Sequence, residues 1–233
     1  MLRSLGVVGI LLTLAAFAVA TNGRANEGDD KNKSAENLKK LALGIISYAD
    51  ANGGKMPPAA TYGKDRKPLH SWRVLILPYI DEDKLFKQFK LDEPWDSANN
   101  KKLIEKMPKV FEPIAGKPKE KHATHYQVLV GGGAAFFGPG GGVANYPASF
   151  TDGTSNTMLI VEAAEAAPWT KPADLTYDAK KPLPKFGGLF KEGFHAAFAD
   201  GHVRFIGKDA DKDTLRAAIT ASGGEVIDLD KLK

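Results

Sequence analysis

The sequence predicts an α+β fold, and three observations predict it. Apolar residues recur at helical spacing just after a polar N-terminal stretch, short helical patterns follow, and the second half turns to brief β-type runs bounded by Gly and Asp-Gly signals. At 233 residues, 43% hydrophobic and 26% charged, the chain has the balance of one globular domain with a sizeable core. The formal charge of +4 is too small and too dispersed to point to nucleic acid. Lysines gather between Lys101 and Lys121, but Glu105, Glu112 and Glu120 interrupt them, as on a solvated face. The absence of cysteine excludes disulfides, thiolate metal sites, a Cys nucleophile and a lipoprotein anchor.

The first residues read as an address. Arg3 gives a short positive region, Val7 to Val19 an apolar run and Ala18-Val19-Ala20 a small-residue cleavage site, so residues 1–20 are expected to be a signal peptide cut after Ala20. The apolar run is short of the ~20 residues that span a bilayer. Export to the periplasm or outside the cell follows, with the membrane met only transiently. Residues 21–33 are polar and read as a flexible linker, and residues 34–233 as a single domain.

Within that domain Leu38, Leu41, Ala42, Ile45, Ile46 and Ala49 make one helical stripe, with Ser34 as the expected N-cap and Asn52-Gly53-Gly54 as the stop. Trp72, Leu75, Ile76, Tyr79 and Ile80 predict a short helix over 71–80, bent by Pro78. Further short helices are expected over 83–89 and 99–107. Strands are expected over 126–130, 157–161, 195–199 and 203–206, forming an antiparallel sheet, then a helix over 213–221 and a closing strand over 225–229.

Several stretches in order resemble a known family. They are Ser71-Trp72-Arg73-Val74-Leu75-Ile76-Leu77-Pro78-Tyr79-Ile80, then Pro94-Trp95-Asp96, then Asp152-Gly153-Thr154-Ser155-Asn156-Thr157 with Glu162, then Phe198-Ala199-Asp200-Gly201. The pattern is similar to the family called domain of unknown function 1559, pilin-like proteins typical of planctomycetes and related to prepilin-type proteins with an H-x9-DG tail. The resemblance implies a pilin-like fold, an N-terminal helix packed on an antiparallel sheet. It departs from the family at Gly6, which Val7-Val8-Gly9-Ile10 follows instead of a prepilin leader. It departs again at His195, which precedes Asp200-Gly201 by four residues instead of nine, and at Glu112-Pro113, where relatives often carry Cys-Pro.

No stretch carries a recognised catalytic motif. Asp152 to Asn156 could present oxygens to calcium but fails the EF-hand spacing, and a tight turn explains it better. Gly131 to Gly142 lacks Gly-Lys-Ser/Thr and reads as a mobile loop. Asp200-Gly201 reads as a two-residue hairpin turn. His122, His125, His195 and His202 sit in no ligand motif and are expected to be structural or to face solvent. Trp72 is expected in the core, Trp95 against it, and Trp169 is the tryptophan freest to be a surface contact. The weak metal candidates are Asp152, Asn156, Glu162, His195 and Asp200. No cofactor is expected. The reading is an exported, non-enzymatic structural or interaction protein whose partners would be other envelope or extracellular proteins. Its rivals are a solute-binding protein using the Gly131 to Gly142 loop and a metal-dependent hydrolase using Asp152, Glu162, His195 and Asp200.

Overall fold

The computed structural model describes residues 11–116 and 118–233, with side chains from Glu27 onward. Helix α1 runs from Leu11 to Ala51, 41 residues or roughly 60 Å at 1.5 Å per residue. Of the expected leader, residues 1–10 lie outside the described residues and 11–20 are described by their helical backbone alone. Residues 21–33, expected as a linker, are helical instead, supported in the last turns by the Glu27–Lys31 ion pair at 3.1 Å. Ser34 is therefore mid-helix and not an N-cap. From there the stripe Leu38, Leu41, Ala42, Ile45 and Ala49 is fully buried. The helix stops as expected: Gly53 and Gly54 take positive φ, and the Gly54 N–H closes back on the Ala49 carbonyl at 2.8 Å.

A two-stranded hairpin, β1 (Ala60–Tyr62) with β2 (Pro68–Ser71), follows, too short and too polar for the sequence pattern to mark it. Ser71 then caps α2 (Trp72–Leu75), its hydroxyl accepting from the Arg73 N–H, and Leu77–Tyr79 continues as a 3-10 turn around Pro78. This segment lies close to α1 at Gly44, where an added β-carbon would come within 2.6 Å of Ile80 Cγ2. Glycine here costs helix propensity but allows the close approach. Helix α3 (Asp83–Phe86) and a 3-10 helix at Asn100–Lys106 fulfil the other two short-helix expectations in abbreviated form.

The sheet has five strands in the order β5-β3-β4-β6-β7: β3 (Ala123–Val130), β4 (Met158–Pro168), β5 (Leu175–Thr176), β6 (Gly193–Phe198) and β7 (Val203–Gly207). Three pairings are antiparallel, but β5 lies parallel to β3, so the sheet is mixed and not purely antiparallel. Strand β5 holds two residues, too few for any periodic signal. Helix α4 (Lys212–Ile219) is capped by Asp211. The expected closing strand at 225–229 is not formed; those residues lead into a 3-10 turn at Leu229–Leu232 that buries Leu232.

Alternation along the strands divides the core. Tyr126, Val128, Ile160 and Ala197 join the α1 cluster, whereas Leu129, Val161, Phe194, Ala196 and Ile206 join that of α4. Both faces of the sheet are thus covered, and every residue of β6 is buried.

The β6–β7 connection differs from the expected two-residue turn. The Gly201 N–H bonds the Phe198 carbonyl and the Phe198 N–H bonds the His202 carbonyl, both at 2.9 Å. This leaves a three-residue loop, Ala199 to Gly201, in which Gly201 alone has positive φ, +89°. A β-carbon there would also lie 3.1 Å from Leu43 Cδ2 on α1. Gly201→Val should destabilise the domain by about 1–3 kcal/mol through backbone strain and this contact. A thermal melt matching the parent protein would show that the turn imposes no such constraint.

Candidate functional site

Strand register creates a row of polar and aromatic side chains across the sheet under α1. Tyr126 on β3 pairs with Glu162 on β4, and the β4–β6 register sets Glu162 beside His195, which pairs with Phe205 on β7. Ser34 and Lys31, one turn apart on α1, lie over this row. Glu162 and Ser34 have no exposed surface, Tyr126 is 2% exposed and His195 5%.

The hydrogen bonds fix the direction of each donor. The Ser34 hydroxyl donates to Glu162 Oε1, so its oxygen takes the Tyr126 hydroxyl proton at 2.8 Å. The His195 backbone N–H donates to Glu162 Oε2 at 2.6 Å, and its Nδ1 lies 3.2 Å from both carboxylate oxygens. One buried carboxylate thus gathers two strands and the helix. The imidazole is held edge-on by Phe190 and Phe205, with ring centroids at 5.4 and 4.9 Å, and the Lys31 ammonium sits 4.7 Å from the Phe205 centroid. Burial pushes the Tyr126 phenol up to about 12, and the nearby Glu162 charge acts in the same direction. Ser34 donates to the Glu162 carboxylate and not to an imidazole nitrogen. Chemically the row is a helix-to-sheet tether.

A second buried network meets the first at β3. Arg73, fully buried, donates from Nε to the Tyr126 carbonyl at 3.0 Å and from Nη1 to Ser71 Oγ at 2.7 Å. Its Nη2 bonds Asp174 Oδ1 at 2.7 Å, an atom that also accepts from Trp72 Nε1 at 3.1 Å and the Val128 N–H at 3.0 Å. Burial pushes the Asp174 carboxyl above and the Arg73 guanidinium below their ordinary ranges, with their mutual attraction opposing both shifts.

The sequence candidates fall into three places. Asp152 and Asn156 form a turn: the Asp152 carboxylate accepts from the Gly223 and Gly224 N–H groups at 2.7 and 2.9 Å, and Asn156 Nδ2 donates to the Asp152 carbonyl at 2.7 Å. Gly153, between them, has φ +98°, while Thr154 and Ser155 complete the loop. Glu162 and His195 belong to the tether, and Asp200 lies in the β6–β7 loop, where it accepts from His202. Among the described residues no three His, Asp or Glu side chains converge on a metal-sized space.

Of the two positions expected for His195, structural or facing solvent, the structure takes the first: its strand is covered on both sides and its ring is bound to Glu162. One expectation is corrected here. Trp169 is not a surface residue. It is fully buried, stacked on Phe111 at 5.6 Å, and its Nε1 donates to the Ile104 carbonyl at 2.9 Å. Nor is Gly131 to Gly142 a loop of one character. Its first half is pinned by the Gly131 N–H to Phe136 carbonyl bond and buries Ala134, Ala135 and Phe136.

Other motif residues take structural positions. Trp72 is in the core, Tyr79 stands edge-to-face with Tyr48 at 5.6 Å, the Pro94 carbonyl accepts from buried Asn100, and Trp95 lies under the Lys171 ammonium at 5.7 Å while Asp96 is exposed. Arg73, Asp174, Tyr126 and Ser34 were not among the sequence candidates. An arginine inside the apolar run Trp72 to Leu77 was the one available signal.

A family model described as a protein of unknown function (DUF1559) matches residues 31–188. No curated protein and no solved structure matches the chain.

Removing one partner from either network strands the others in the interior. Arg73→Met should cost about 3–5 kcal/mol by leaving Asp174 unpaired. Glu162→Ala should cost about 2–4 kcal/mol, and His195→Ala about 1–3 kcal/mol, more than a solvent-facing histidine would. Denaturant midpoints check all three, and a His195→Ala protein as stable as its parent would contradict the tether. The raised phenol has a signed consequence as well. Below pH 10 Tyr126 is neutral in both states. Between 10 and about 12 the unfolded chain ionises first, so stability should fall by roughly 2–3 kcal/mol across that window. In Tyr126→Phe that part of the alkaline decline should vanish.

Proposed function

The chain belongs to the DUF1559 family, and from that premise we propose that it is an exported, non-enzymatic, pilin-like structural or interaction module. The observation that carries the reading is the placement of α1. One helical face is seated along the sheet from Ser34 to Ala49, and the helix continues without a break to Leu11. Such a helix gives a rigid connection between whatever lies at its N-terminal end and a domain presented beyond it. The buried carboxylate, imidazole, phenol and guanidinium supply a second support, since each is engaged in joining elements of the fold. No helix among the described residues is long and apolar enough to cross a membrane.

Under this reading signal peptidase cleaves after Ala20 and leaves a mature chain with the helix still 31 residues long. N-terminal sequencing of material fractionated from the native host should find a start near Thr21, in the periplasm or the medium. Recovery instead of a membrane-bound form beginning at Met1 or Val7 would refute export by cleavage.

A further inference from the structure

On the sheet face away from α1, a groove of about 640 Å³ opens between the segment before β6, the start of β6, the end of β7 and the first turn of α4. That volume is in the range of small-molecule sites. Its apolar wall is made by Leu183, Phe186, Phe194 and Leu215, with the Phe186 and Phe194 rings stacked at 4.9 Å. Glycine at 187, 188, 193 and 207 keeps side chains out of the space between the walls. The Gly193 requirement comes from strand pairing, since a β-carbon there would lie 1.9 Å from the Ile206 carbonyl oxygen, whereas Gly188 has open space around it.

The walls are tied to the sheet. The Ala164 N–H bonds the Lys185 carbonyl at 3.0 Å and the Gly187 N–H bonds the Glu162 carbonyl at 2.8 Å. Opposite, the Lys208 N–H bonds the Glu192 carbonyl at 2.9 Å. A groove held in this way does not have to form at the moment of binding.

Charge selects the occupant. Three lysines, Lys191, Lys208 and Lys212, line the groove, and no Asp or Glu does. Lys208 is paired with Glu192 at 3.0 Å. Lys191 and Lys212 form no ion pair among the described residues. Of the carboxylates flanking the groove, Glu192 is engaged by Lys208 and lies near Lys191, and Asp211 is engaged by the Thr214 N–H and hydroxyl, while Asp209 and Asp213 stand outside the lining. An aromatic and aliphatic trough with two uncommitted ammonium groups at its rim matches a ligand with an apolar body and one anionic end.

We propose that this groove is a binding site for a small amphiphilic carboxylate, its apolar body lying against Phe186, Phe194 and Leu215 and its carboxylate at Lys191 and Lys212. The site does not depend on how the N-terminus is processed, so it stands or falls separately from the function proposed above.

Calorimetric titration of the full exported chain with decanoate, below its micelle concentration, tests the site. Decanoate should bind saturably at one site and more weakly as salt rises, and decyltrimethylammonium should bind at least about tenfold more weakly. Lys191→Glu with Lys212→Glu, both on exposed side chains, should weaken decanoate by about tenfold or more without moving the melting temperature. Leu183→Asp on the half-buried wall should also weaken decanoate, by placing a carboxylate against the ligand. Absence of saturable binding, equal binding of the cationic amphiphile, or undiminished binding to the double lysine variant would each overturn the proposal.

Discussion

The fold depends on a carboxylate with no access to water. Glu162 sits in the middle of a sheet strand, under a helix, where an ion left without partners would cost several kcal/mol. Its donors therefore have to be present whenever the domain is folded, and the three of them come from two separate elements: Ser34 on α1 and the backbone and ring of His195 on β6. Apolar contacts alone would let a smooth helix slide along a smooth sheet at little cost. A buried hydrogen-bond set has one satisfied arrangement, and it fixes both the height and the rotation of α1.

The second network explains why the irregular middle of the chain has a defined place. Residues 72–111 contain only helices of three to seven residues, too short to hold themselves together. Arg73 anchors them by reaching the Tyr126 carbonyl on β3, and Asp174 binds Arg73, Trp72 and the Val128 N–H with one oxygen. Trp72, Phe111, Trp169 and Phe89 then fill the space around this anchor in a chain of edge and stacked contacts. Tyr126 belongs to both networks, through its carbonyl to one and its hydroxyl to the other.

What the sequence could show follows from the range of each signal. The α1 stripe, the turn at Asp152, the four principal strands and α4 are written in local periodicity and turn chemistry, and they were legible. The β5 pairing and the missing strand at 225–229 were not, because two residues carry no period and an alternating pattern does not reveal whether a neighbour exists. Ser34 shows the same limit at one atom. A serine before an apolar stripe has the signature of a cap, and only the position of Tyr126 and Glu162, 92 and 128 residues away, makes it a buried partner instead. Trp169 was misplaced, and His195 was left between a structural and a solvent-facing position, for the complementary reason: sequence neighbours give no measure of what packs over a residue from elsewhere in the chain.

The division of the sheet into two faces separates two kinds of demand on the sequence. On the α1 face Ser34, Arg73, Tyr126, Glu162 and Asp174 all fall within residues 31–188, the span matched by the family model. These groups hold one another, so substitution of any one leaves a buried neighbour unsatisfied. On the opposite face the groove takes its first wall from the end of that span and its other side, Lys191, Phe194, Lys208, Lys212 and Leu215, from beyond it. The lysines there face solvent and satisfy no buried partner, so they can change without disturbing the core. A domain built in this way can change the charge of one face, where Lys191 and Lys212 are exposed, without disturbing the buried networks that hold the other.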